Sequence, residues 1–100
     1  MMYHSSMKTI THTNPNGKTV QVNVGENLYI GSYSTIGEHV TIGENVTIGK
    51  NVTIGEHAII GSYSNIGSYS NIGSYSNIGE DSYIGRNATV GEDAIIGSDA

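Results

Sequence analysis

His39 and His57 stand eighteen residues apart, and each directly follows a glutamate, Glu38 and Glu56. Imidazole nitrogens beside carboxylates are donors that bind a divalent metal. The same groups suit a second chemistry, in which a histidine acts as general base and a neighbouring carboxylate orients it. Either use requires a fold that brings positions eighteen apart together, and a cleft to receive a substrate.

Composition narrows the architectures able to do this. The chain has 100 residues, enough for a single domain. Only 36% of them are hydrophobic, with no Phe and no Trp, which excludes a broad globular core. Charged residues reach only 13%, against the highly charged kind of disorder, and 14 glycines fill much of the gap. Cysteine is absent, so there is no disulfide framework and no thiolate site. The net charge is −5 and the four Lys/Arg residues are dispersed, so a nucleic-acid partner is not expected. No apolar run is long enough to cross a membrane as a helix, and membrane insertion is not expected. Residues 1–7, MMYHSSM, read as a disordered start without the apolar stretch of a secretory signal. Extracellular and cytoplasmic locations both remain open.

An Ile or Val followed by Gly recurs every sixth residue from Val24 to Ile96, thirteen times without insertion or deletion. Six residues is not a helical period; it fits short strands broken by one turn per unit. Counting the aliphatic residue as the first place, the fifth is small or β-branched from Ser34 onward and joins the first in the core. The fourth place carries Asn, Asp, His or Tyr and reads as a corner at positive φ, because Asn, Asp and His tolerate that region best. The third place, rich in Glu and Ser, faces water. Such units coil and stack as a solenoid.

These Ile/Val-Gly-x-x-small-x units resemble the hexapeptide-repeat proteins over residues 24–100. The resemblance implies an all-β fold, a left-handed parallel β-helix solenoid with three hexads per coil and about four coils. Residues eighteen apart then become neighbours, and His39, His57, Tyr75 and Asp93 share one corner. Many members of that family are acyltransferases with coenzyme A or acyl-carrier-protein donors, a catalytic histidine near an excursion from the coils, and the cofactor between adjacent prisms. No loop interrupts these hexads. The gamma-class carbonic anhydrases of the same family hold zinc on three histidines across a subunit boundary. Here a third histidine at a matching offset is lacking, since His4 and His12 precede the repeats. His39, His57, Glu38 and Glu56 therefore stand as metal candidates only, with no metal, no other cofactor and no catalytic residue expected.

The stretch GSYSNIGSYSNIGSYSNIG fills one coil with identical units and sets Tyr63, Tyr69 and Tyr75 on its three corners. This belt is either a copied, tolerated corner residue or, with Tyr33, an aromatic contact surface. Thr35, Thr53, Asn71 and Thr89 line one outward column, which raises ice binding as a minor alternative. Three Asn-x-Thr triplets, at Asn45, Asn51 and Asn87, fall out of the hexad and carry little weight.

Residues 8–23 alternate as strands around the turn-forming NPNG and read as a β-hairpin, acting as N-terminal cap or assembly arm. Solenoid ends expose strand edges and apolar core, so either the chain continues beyond the last hexad or something else is expected to cover that end, a second copy being the simplest candidate. These features together favour a non-enzymatic structural protein. It would self-assemble, head to tail as a fibre or as a trimer, through its ends and its Tyr, Asn and Glu faces. The alternative is an acyltransferase-like or metal-dependent trimeric enzyme.

Overall fold

The computed structural model describes residues 7–100, so the expectation for the start of the chain lies, but for Met7, outside the described residues. All regular structure among them is β-strand. From Tyr29 onward each hexad contributes a two-residue strand made of its sixth place and the next aliphatic residue, and these strands stack in parallel into three faces. The first face contains β2 (Thr19–Val24), β5 (Thr41–Ile42), β8 (Ile59–Ile60), β11 (Asn77–Ile78) and β14 (Ile95–Ile96). The second contains β3 (Tyr29–Ile30), β6 (Thr47–Ile48), β9 (Asn65–Ile66) and β12 (Tyr83–Ile84). The third contains β4 (Thr35–Ile36), β7 (Thr53–Ile54), β10 (Asn71–Ile72) and β13 (Thr89–Val90). Every stacked pair has an offset of eighteen residues, as in Ile42 against Ile60 and Ile48 against Ile66. The chain is a parallel β-solenoid of about four coils.

The corners explain why so short a strand suffices. All thirteen fourth-place residues, from Asn27 to Asp99, adopt positive φ between 57° and 67°. One residue in the left-handed region turns the chain sharply enough to start the next face. Backbone hydrogen bonds then run between coils. The Gly43 N–H donates to the Ile60 carbonyl (2.8 Å) and the Thr41 N–H to that of Ala58 (3.0 Å), both upward. At the corner, the Asn45 N–H donates downward to the Glu26 carbonyl (2.8 Å). A buried peptide group left unpaired would be costly, and in the central coils this ladder pairs the amides of the second, fourth and sixth places.

The core is a single narrow column. Ile36, Ile42, Ile48, Ile54 and Ile60 are at most 1% exposed, and the fifth-place Val40, Val46, Val52 and Ala58 are fully buried between them. Where the fifth place is serine, the hydroxyl binds the next coil rather than merely filling space. Ser64 Oγ donates to the Gly79 carbonyl (3.1 Å) and accepts from the Ser82 N–H (3.2 Å). Ser70 makes the same two bonds, to Gly85 (2.8 Å) and from Ala88 (3.3 Å). Among the described residues no buried side-chain nitrogen or oxygen lacks a partner, so the buried serines avoid the desolvation penalty.

β1 (Lys8–Thr13) pairs antiparallel with β2 and extends the first face at the start of the solenoid. β2 begins at Thr19, one residue later than the hairpin strand read from the sequence, and its last two residues already pair with β5. The turn between β1 and β2 closes beneath the third face. There Asn14, 7% exposed, donates from Nδ2 to the Ile36 carbonyl (3.0 Å) and accepts at Oδ1 from the Ile36 N–H (2.9 Å). Its carboxamide replaces the peptide group of a coil below. His12 Nε2 donates to the Ser34 carbonyl (3.0 Å).

Glycine at the second place is set by the spacing between coils. A methyl added to Gly55 would lie 2.5 Å from the Ser74 nitrogen, whereas one added to Gly91 meets nothing within 4 Å. Neither residue has positive φ, so only space separates them. Gly55→Val is expected to destabilise the protein by about 3 kcal/mol or more, as overpacking against backbone does. Gly91→Val is expected to stay within about 0.5 kcal/mol of the parent. Urea unfolding followed by circular dichroism separates the two, and equal effects would contradict this packing.

Candidate functional site

The corner between the third and first faces carries Glu38-His39, Glu56-His57, Ser74-Tyr75 and Glu92-Asp93 on successive coils. His39, His57 and Tyr75 share φ values of 62–63°, so their side chains leave the backbone in the same direction. Coil spacing then stacks their rings. The His39 and His57 centroids are 4.8 Å apart with planes inclined 19°, and those of His57 and Tyr75 are 4.8 Å apart at 6°. That distance is the inter-strand spacing of a sheet carried out to the corner.

Stacking governs what the imidazoles can do. Their lone pairs lie in nearly parallel planes and do not converge on a point between the rings. A zinc ion needs each nitrogen at about 2.0–2.1 Å, which rings held face to face at this spacing do not supply. Among the described residues no group of three or more His, Cys, Asp or Glu side chains is placed to hold a metal ion. His12 is turned toward Ser34, away from this corner.

The general-base arrangement fares differently. Thr19, Val20 and Gln21 of β2 rise beside the corner and enclose, with Glu38 and His39, a recess of about 240 Å³. An exposed imidazole thus borders a concave surface that also carries a carboxylate, a hydroxyl and a carboxamide. The hairpin, and not an insertion between hexads, supplies the far wall. A second recess, of about 340 Å³, opens at the start of the solenoid below the second face, with Lys8 at its rim and Ile10, Val24, Leu28 and Ile30 inside.

Tyr63, Tyr69 and Tyr75 occupy the three corners of one coil and are 54%, 44% and 53% exposed. Tyr75 is taken up by the histidine stack, while Tyr63 and Tyr69 border the second face, as does Tyr33 one coil below Asn51. Tyr29 and Tyr83, which the sequence adds to the exposed aromatic residues, project from the second face, whereas sequence reasoning passed over the outward Ile59 and Ile95 of the first. The signal was available: an aliphatic or aromatic residue at the sixth place points outward.

The family model described as the GMPPB C-terminal domain matches residues 19–100. The chain belongs to that family. Among solved structures, serine acetyltransferase 1 of Entamoeba histolytica, in complex with L-cysteine, superposes with a TM-score of 0.60 at 19% identity. That match covers 75% of this chain and 36% of the acetyltransferase chain. The acetyltransferase domain of PglB from Neisseria gonorrhoeae aligns at 17% identity with a TM-score of 0.46, covering 78% of this chain and 50% of that one. A search of curated proteins finds no match. The solenoid is that of the hexapeptide-repeat proteins.

The expectation of a non-enzymatic protein is thereby corrected. A fold that superposes on this solenoid occurs within an acetyltransferase, and the match covers about a third of that enzyme's length. A solenoid of this kind therefore does not by itself mark a structural protein, and the filament reading finds no support. His57→Asn keeps a corner residue suited to positive φ and removes the middle ring of the stack. The ring-proton resonances of His39 and Tyr75 are expected to move downfield as ring-current shielding is lost, with stability changed by about 1 kcal/mol or less. Unchanged resonances would mean that the rings do not stack.

Proposed function

We propose that this solenoid serves an acyltransferase of the hexapeptide-repeat type, with the recess beside His39 as the reacting site. The observation that carries this reading is the meeting of Glu38 and His39 with Thr19–Gln21 of β2 around a recess of about 240 Å³. That volume suits the thioester end of an acyl donor and an acceptor hydroxyl or amine, but not a nucleotide as well. The donor supplies an activated acyl group as a thioester. His39 takes the proton from the acceptor as its oxygen or nitrogen attacks, and later returns it to the departing thiolate. Glu38 orients the imidazole, and Thr19 and Gln21 offer hydrogen bonds to the acceptor. His57, stacked on His39, restricts the ring's rotation and so acts as a positioning residue. Copies of the chain are also proposed to self-associate, as solenoids with exposed tyrosines are suited to do.

Nuclear magnetic resonance titration with acetyl-coenzyme A tests the reading. The resonances of His39 and of the Thr19 and Gln21 amides are expected to shift in a saturable way. His39→Asn is expected to reduce thiol release by roughly a hundredfold, the usual contribution of a general base. Absence of any shift at millimolar donor, or full activity in the variant, would contradict it.

A further inference from the structure

The hairpin closes the start of the solenoid on the first and third faces. On the first, β1 runs beneath β2 and sets Lys8 opposite Val24. On the third, side chains stand in for a strand: Asn14 exchanges two hydrogen bonds with the Ile36 N–H and C=O, and His12 donates to the Ser34 carbonyl. On the second face β3 has β6 above it, and none of the described residues pairs with its lower edge. Burial follows the same division. Val24 and Ile36 are at most 1% exposed, whereas their counterpart Ile30 and its neighbour Leu28 are only half-buried.

The ladder sets which backbone groups line that edge. One coil higher, the Val46 and Ile48 carbonyls accept from the Tyr29 and Gly31 N–H groups below them, at 3.0 and 2.8 Å. The equivalent carbonyls of Leu28 and Ile30 therefore point downward. The Ile30 N–H does too, as that of Ile36 does toward Asn14. The Asn27 N–H joins them, since its equivalent at Asn45 donates downward to Glu26. Beside this row lies the recess of about 340 Å³, with Ile10, Val24, Leu28 and Ile30 inside and Lys8 at its rim.

We propose that this edge binds the C-terminal end of an extended peptide from a partner protein, added beneath β3 as an antiparallel strand. The alternating donors and acceptors call for another backbone. Ile30 offers its N–H and C=O together, as one hydrogen-bonded antiparallel pair requires, and the Asn14 carboxamide already meets Ile36 in that way. Peptide side chains opposite Ile30 and Leu28 point into the recess, so apolar residues fit at alternate positions. Charge fixes the direction. An antiparallel strand runs from Ile30 toward Leu28 and brings its terminal carboxylate to the Asn27 N–H and the Lys8 ammonium. A parallel strand would bring a positive amine to the same lysine. Glu26, on that corner, is exposed and does not line the recess. This site and the recess at His39 lie at opposite ends of β2, so each can fail without the other.

Nuclear magnetic resonance titration of the full chain with acetyl-Val-Thr-Val, bearing a free carboxylate, tests the proposal. Saturable shifts are expected at the Asn27, Leu28 and Ile30 amides and the Lys8 side chain, and none at Glu38 or His39. N-methylation of the last valine, whose N–H meets the Leu28 carbonyl, should abolish binding. N-methylation of the threonine, whose N–H faces away, should be tolerated. Lys8→Ala, or a peptide ending in an amide, should weaken binding roughly fivefold, as loss of one exposed ion pair would, with the circular dichroism spectrum unchanged. No saturable shift at millimolar peptide, shifts confined to the His39 recess, or equal effects of the two N-methylations would overturn the proposal. So would Overhauser contacts of Ile30 with residues 1–6 or with a second copy in the peptide-free protein, because the edge would then already be filled.

Discussion

Contact between one coil's backbone and the next is the constraint on which the rest of this structure depends. At Gly31 an added methyl would lie 2.6 Å from the Lys50 nitrogen, so no larger residue fits without separating the coils. That closeness lets inter-coil hydrogen bonds form at 2.7–3.1 Å along all three faces. It also leaves room for only one small or β-branched side chain per hexad beside the aliphatic one. Serine fits because its hydroxyl is satisfied by the coil above, as at Ser76, whose Oγ donates to the Gly91 carbonyl at 2.8 Å. A period of eighteen residues is thereby imposed on every outward position as well.

Functional geometry inherits that period. Two histidines in equivalent hexads become stacked rings, and acidic or basic residues in equivalent hexads become charged edges. No loop is needed to gather them. What breaks the regularity is the hairpin, which raises Thr19–Gln21 beside Glu38 and His39 and turns a convex corner into one wall of a recess. The histidine stack and its recess thus lie on one corner, and the exposed tyrosines of the second face lie opposite.

Much of this was legible before any coordinates. Glycine at every second place, a small fifth place and Asn, Asp or His at the fourth identify strand, core and corner directly, because each follows from local sterics. The positive φ of His39 and Asn45 is such a case. The aromatic ring at Tyr63 was less readable, since tyrosine is not a residue that favours φ of 65°. Nothing local reveals that Asn14 pairs with the backbone of Ile36, twenty-two residues away, or that His12 turns to Ser34. Whether stacked imidazoles converge on a metal or lie face to face depends on side-chain orientation, which spacing does not encode. The expectation of a structural protein failed for another reason: it treated regular repeats as evidence against catalysis, although a hairpin can build a recess beside them.

Native-state hydrogen exchange, resolved by residue, tests the stacking most directly. In the central coils the amides of the second, fourth and sixth places, such as Gly55, His57 and Ile59, each donate to a neighbouring coil. They are expected to be protected together, at a level close to global stability, with a repeat of two residues within each hexad. Exchange at the rate of an unstructured chain, or protection that ignores this register, would contradict a solenoid held together coil against coil.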